Sequence, residues 1–151
     1  MVEIKRLQPG DERLACHVVA RFKTRGQAKV PPVGDSMRRF LARDDVCLIV
    51  ASQRGEPVGF LLAYKLPRIE CDRDMVLLYE IEVSEPHRHS GIGKRLIADL
   101  KLQLESERIL KMWVITAESN EAAMRLYRST GAVRHKDRDI VVFDYLPEAL
   151  G

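Results

Sequence analysis

The alternation of apolar and polar positions sets out most of the architecture. Val2-Glu3-Ile4-Lys5-Arg6-Leu7 alternates as a half-buried first strand does, and Pro9-Gly10-Asp11 breaks it. Asp11 is placed to cap a first helix in which Leu14, Val18, Val19 and Phe22 recur at helical spacing. The segment 24–35, with Gly26, Pro31, Pro32 and Gly34, reads as a loop, equally a lid over a substrate cleft or a plain connector. Asp35 or Ser36 can cap a short helix carrying Met37, Phe40 and Leu41. Val46–Ala51 and Val58–Leu66, joined by Arg54-Gly55-Glu56-Pro57, predict a hairpin. A further strand runs over Leu77–Val83. Ile92, Leu96, Leu100 and Leu104 then mark an amphipathic helix with Lys94, Arg95, Lys101, Gln103 and Glu105 on its wet side. Met112–Ala117 is expected as a fifth strand. Ser119 or Asn120 caps a helix bearing Ala123, Leu126 and Tyr127, and Gly131 stops it. Val133 and Ile140–Tyr145 give closing strands about an Asp137-Arg138-Asp139 turn. The order β-α-α-β-β-β-α-β-α-β-β predicts an α+β domain spanning 1–151, with a mixed sheet of about six to seven strands and four helices.

Composition narrows the function classes. With 25 Lys and Arg against 22 Asp and Glu, the net charge is only +3, and the basic residues are scattered instead of forming a nucleic-acid stripe. No apolar stretch is long enough for a bilayer, and the N-terminus shows no signal-peptide pattern; a cytoplasmic protein is expected. Cys16, Cys47 and Cys71 are odd in number and widely spaced, which suits reduced thiols better than disulfides or zinc.

The chemistry concentrates after the Leu77 strand. Ser84-Glu85-Pro86-His87 leads into Arg88-His89-Ser90-Gly91-Ile92-Gly93 and then the helix. A strand, a glycine loop and a helix N-terminus together hold phosphate: the backbone can approach the anion, and its N–H groups converge on it. A Walker loop is excluded, because Gly93-Lys94 is followed by Arg95 and no glycine precedes Gly91 at the required distance. The dinucleotide fingerprint is excluded because Leu96 stands where its third glycine belongs. What remains is Arg-x-x-Gly-x-Gly.

That loop resembles the acetyl-CoA pyrophosphate loop of the GNAT superfamily of N-acetyltransferases. Asn120-x-x-Ala123-x-x-Leu126-Tyr127-x-x-x-Gly131 resembles the second signature of that superfamily, at its usual distance downstream, and the element order agrees over nearly the whole chain. Ala63-Tyr64-x-Leu66-Pro67-x-x-Glu70-x-x-Arg73, Tyr79-Glu80, Val83 and Ala117-Glu118 look like the aminoglycoside 3-N-acetyltransferase branch. The resemblance implies acetyl-CoA as cosubstrate, with the backbone around Ile81 and Val83 pairing with its pantetheine arm and a backbone N–H facing the tetrahedral oxyanion. It implies that Arg88, His89, Ser90, Gly91, Ile92 and Gly93 hold the pyrophosphate, aided by Lys94, and that Ala123 and Asn120 lie at the cofactor. Asn120 reads equally as a helix cap. Members of the superfamily are often dimers.

An amine attacking a thioester must lose a proton, and the departing thiolate gains from a donor. By resemblance Tyr127 is the general acid; its structural alternative is a packed aromatic. Glu80 and Glu82 share a strand face. Glu80 and Glu118 match acidic residues associated with the substrate amine, whereas Glu82 has no such match and reads as solvent-facing or cofactor-side. His87 and His89 have no third ligand at metal spacing and read as exposed loop residues. Two departures stand out: Ala132 replaces a bulkier residue, and the 134–139 segment is long and charged where the fold builds part of the acceptor site. The reading is acetyl transfer to a primary amine of a small polyamine-like molecule, aminoglycosides first, in a ternary complex. The alternatives are acetylation of a protein N-terminus or lysine, and a non-catalytic acyl-CoA-binding module.

Overall fold

The computed structural model describes residues 1–23, 34–135 and 141–149. The five strands are β1 (Glu3–Arg6), β2 (Val46–Gln53), β3 (Glu56–Leu66), β4 (Asp74–Val83) and β5 (Ile109–Trp113), and they form one sheet in sequence order. The four α-helices are α1 (Glu12–Val18), α2 (Gly34–Leu41), α3 (Ile92–Leu104) and α4 (Glu121–Ser129). All neighbouring strands are antiparallel except β4 and β5, which run parallel through the α3 crossover. This is the mixed-sheet α+β fold that the sequence pattern predicts, with four helices and, among the described residues, five strands in place of the expected six to seven.

The sheet buries both faces. On one, Ile49, Leu61, Val76 and Leu78 pack against Leu96, Ile97 and Leu100 of α3, with Leu126 and Tyr127 of α4 at the margin. On the other, Leu48, Val50, Phe60 and Leu62 pack against Val18, Phe22, Met37 and Leu41 of the first two helices. The helical period of α3 puts its leucines on one stripe, which explains the complete burial of Leu96 and Leu100. α1 runs into a π-helical turn, Val19–Lys23, which brings Phe22 onto Phe60 with ring centroids 5.1 Å apart. Asp35 and Ser36 lie inside the first turn of α2, which begins at Gly34. The lid-or-connector expectation for 24–35 falls largely outside the described residues.

Two strand expectations fail for one kind of reason: a strand needs a partner. β5 pairs with β4 only from Asp74 to Leu77, so it occupies Ile109–Trp113 instead of Met112–Ala117. Beyond that point β4 bends away at an irregularity where Leu62 opposes Glu80 while Ala63 opposes Leu78, leaving Tyr79 as the inserted residue. Val114–Ala117 therefore run alongside a gap. Likewise 141–146 form no strand, and Val141, Val142, Phe143 and Tyr145 are exposed; the rest of that expected hairpin lies outside the described residues.

α4 ends as its sequence predicts. Ala132 N donates to Tyr127 O at 2.9 Å and Gly131 N to Arg128 O at 3.2 Å, with Gly131 at φ 92°, a glycine-closed Schellman turn.

Candidate active site

The gap between β4 and β5 is the mouth of an open cleft of about 1330 Å³. One wall is the end of β4, the floor is the loop entering α3, and the far wall is α4. Ile81, Val83, Arg88, His89, Gly91, Ile92, Gly93, Lys94, Asn120, Ala123 and Tyr127, all singled out in the sequence, line it.

The β4 wall presents bare backbone. Ser84 N donates to Val58 O at 2.9 Å, so its polar groups face β3. Alternation along the strand turns those of Val83 and Ile81 to the opposite edge, where β5 has already diverged. Arg88 Nε donates to Val83 O at 3.2 Å, tying the loop back onto the strand end.

The floor gathers backbone donors and basic side chains. His89 and Gly91 adopt positive φ, 61° and 82°, which folds the loop back before α3 starts. Gly91 is the N-cap of α3 and supplies no side chain to its first N–H groups, so the helix N-terminus opens on the cleft with its donors and its dipole uncompensated. Arg88, Lys94, Arg125 and Arg128 add positive charge around it. Ser90 does not line the cleft; its hydroxyl donates to His87 O and braces the loop. His87 is half-buried, a correction to its reading as an exposed residue: Nδ1 bonds the buried Ser84 hydroxyl at 2.9 Å and Nε2 bonds Gln53 Oε1 at 3.1 Å. His89 is exposed, as expected.

α4 is set against α3 by a close approach. A Cβ on Gly93 would stand 3.2 Å from Leu126 Cδ2, so the missing side chain lets the two helices close over the floor. Asn120 caps α4, Oδ1 accepting from Ala123 N at 3.1 Å, while also lining the cleft. Tyr127 projects into the cleft from this helix, and burial pushes its hydroxyl above the ordinary 10.0. It is protonated at neutral pH, as a proton donor must be.

The carboxylates separate. Glu82 lines the cleft and Glu80 does not. Glu80 lies on the α1 side of the bend in β4, where Lys23 Nζ bonds its carboxylate, and Tyr64 meets Tyr79 edge-on at 5.4 Å. Burial first, then the Tyr79 and Glu80 charges, push the Tyr64 hydroxyl upward. Glu118 is exposed, outside the cleft, and accepts from Arg134 Nη1 at 2.9 Å. The structure thus brings Tyr127 and the loop to one cleft, and places Glu80 and Glu118 apart at its margins.

Sequence reasoning passed over Thr116, Ala122, Arg125 and Ser129 as lining residues. Helical spacing from Ala122 to Arg125 and Ser129 was the available signal for the last three. It passed over Lys23, Phe60 and Tyr64 around Glu80 because these come from separate elements.

Comparison with known proteins agrees with this geometry. The family model described as the acetyltransferase (GNAT) family matches residues 15–132. N-acetyltransferase family 8 member 3 of Rattus norvegicus is 27% identical over 99 residues, 66% of this chain and 43% of that protein. The [ribosomal protein bS18]-alanine N-acetyltransferase of Escherichia coli (strain K12) is 29% identical over 73 residues, 48% of each. The chain therefore spans less than half the length of these curated relatives in the matched region. The crystal structure of an aminoglycoside acetyltransferase from an uncultured soil metagenomic sample superposes with a TM-score of 0.77 at 27% identity, over 97% of this chain and 98% of that one.

Proposed function

This chain belongs to the acetyltransferase (GNAT) family, and from that premise we propose that it binds acetyl-CoA in the β4/β5 cleft and transfers the acetyl group directly to the primary amine of a cationic small molecule. The observation that carries this reading is the cleft itself. It brings together a strand edge that β5 has left, a helix N-terminus with no side-chain cap and a protonated tyrosine on its two walls and floor.

In this reading the pyrophosphate sits on the N–H groups at the start of α3, with Arg88 and Lys94 beside it. The pantetheine arm adds as a strand to the free edge at Ile81 and Val83. The amine nitrogen attacks the thioester carbonyl, and the oxyanion is met by a backbone N–H on that edge. The C–S bond then breaks, and the departing thiolate takes the Tyr127 hydroxyl proton. The ammonium gives one proton to a carboxylate at the acceptor side before it attacks, and the second N–H proton, released as the amide forms, goes through solvent to restore the Tyr127 hydroxyl. Glu80 is the better placed at the acceptor side, because it is the more buried of the two, at 26% side-chain exposure against 76% for Glu118. Glu80 binds the acceptor's ammonium before it loses that first proton.

Aminoglycosides head the acceptor class because of the likeness to an aminoglycoside acetyltransferase structure. The likeness to a ribosomal-protein alanine N-acetyltransferase, together with the neutralising Arg134 beside Glu118, favours a peptide N-terminus as the second reading. Thiol release from acetyl-CoA, followed with a colorimetric thiol reagent, separates them. Release with a gentamicin-like aminoglycoside or spermidine, with KM raised in Glu80→Gln, supports the small-amine reading. Release with short peptides alone moves the acceptor to proteins. Cofactor binding without release from any amine leaves an acyl-CoA-binding module.

A further inference from the structure

Lys23 occupies a site built for a cation. It stands at the end of the π-helical turn Val19–Lys23, and that rare geometry concentrates at functional positions because it costs helix hydrogen bonding. Here the turn redirects the chain so that Phe22 goes under the sheet and Lys23 reaches across to β4. The Lys23 ammonium bonds Glu80 and lies 5.7 Å from the centroid of the Phe60 ring, within the range of a cation–π contact. Tyr64 and Tyr79 pack edge to face beside Glu80. A carboxylate, an aromatic face and neighbouring tyrosines are the chemistry that recognises an alkylammonium. Both members of the ion pair remain partly open to water, Lys23 at 39% and Glu80 at 26% side-chain exposure, so the contact can exchange.

We propose that Lys23 is a built-in stand-in for the acceptor's ammonium, and that a cationic acceptor enters by displacing it from Glu80 and Phe60. This rests on the reading of Glu80 as the acceptor carboxylate and adds a selection rule to it. A cationic acceptor replaces one ammonium with another and leaves Glu80 neutralised. A neutral molecule evicting Lys23 leaves a partly buried carboxylate unpaired, which disfavours it. Lys23 therefore determines specificity for cations and holds down apparent affinity until one arrives.

The test is ¹³C reductive methylation of the full chain, with the Lys23 dimethylammonium resonance assigned by Lys23→Arg. Addition of spermidine should shift that resonance toward its position in Glu80→Gln, where the anchor is gone. In the thiol-release assay Lys23→Met should lower KM for spermidine roughly five-fold or more, the inverse of the fraction of time the site stands open, while acetyl-CoA affinity is unchanged. A resonance unmoved by spermidine at saturation, or a KM that is unchanged or higher in Lys23→Met, overturns the proposal. The displacement needs no turnover, so a protein that releases no thiol from any amine defeats the transferase reading while Lys23 is still scored by its resonance.

Discussion

Two helices present their N-termini to one cleft, and they are finished differently. α4 begins with Asn120, whose side chain accepts from Ala123 N at 3.1 Å and satisfies one of its first donors internally. α3 begins with Gly91 at φ 82°, a residue with no side chain to offer, and its first N–H groups meet the cleft uncapped. A cap contributes about 1 kcal/mol to a helix, so α3 forgoes a stabilising contact that α4 keeps. On the proposed function the contrast separates two jobs: α4 is fixed in place to carry Tyr127, and α3 is left open to receive an anion.

The sharpest way to break this division is at Tyr127. Tyr127→Phe removes the hydroxyl and keeps the ring, so turnover should fall by roughly 10² to 10⁴, the usual span for a lost proton donor. Acetyl-CoA affinity by calorimetry should hold. In the native protein burial raises this hydroxyl above its ordinary 10.0. The acid form is therefore complete through neutral pH, and the alkaline loss of kcat from this group should be centred above that of an unburied tyrosine.

Gly93→Val tests whether the two helices must close on each other. Its Cβ would meet Leu126 at 3.2 Å, and such overpacking typically costs about 1–3 kcal/mol. The expected result is a lower melting temperature with weaker cofactor binding; unchanged values would show that Leu126 simply moves aside. Asn120→Ala is the smallest change and the most discriminating. A loss of about 1 kcal/mol in stability with unaltered acetyl-CoA affinity makes Asn120 a cap only. Weaker binding beyond that makes it a cofactor contact as well.

The same contrast explains what the sequence made legible. The loop and α3 are contiguous, so Arg88-x-x-Gly91-x-Gly93 could be read from spacing, as could the cap at Asn120 and the stop at Gly131. The element order through α4 was readable because each helix and strand carries its own period. Where β5 ends was not, since that is decided by β4 turning away beyond Leu77. Apolar Val114 and Ile115 look like strand in sequence, but β4 no longer pairs with them among the described residues. The cluster around Glu80 was legible only at Glu80 itself, because Lys23, Phe60 and Tyr64 reach it from a π-helical turn and a neighbouring strand, separations that no local pattern encodes.

The central claim, that the open N-terminus of α3 is the seat of the acetyl-CoA pyrophosphate, is tested most directly by titrating acetyl-CoA calorimetrically into the native protein and Gly91→Asp. Aspartate tolerates the left-handed backbone better than most residues, and its carboxylate would cap α3 while repelling phosphate. The account predicts saturable binding to the native protein and a loss of roughly ten-fold or more in the variant, about 1.4 kcal/mol, with its melting temperature retained. Equal affinity in both, or no binding to the native protein, would contradict it.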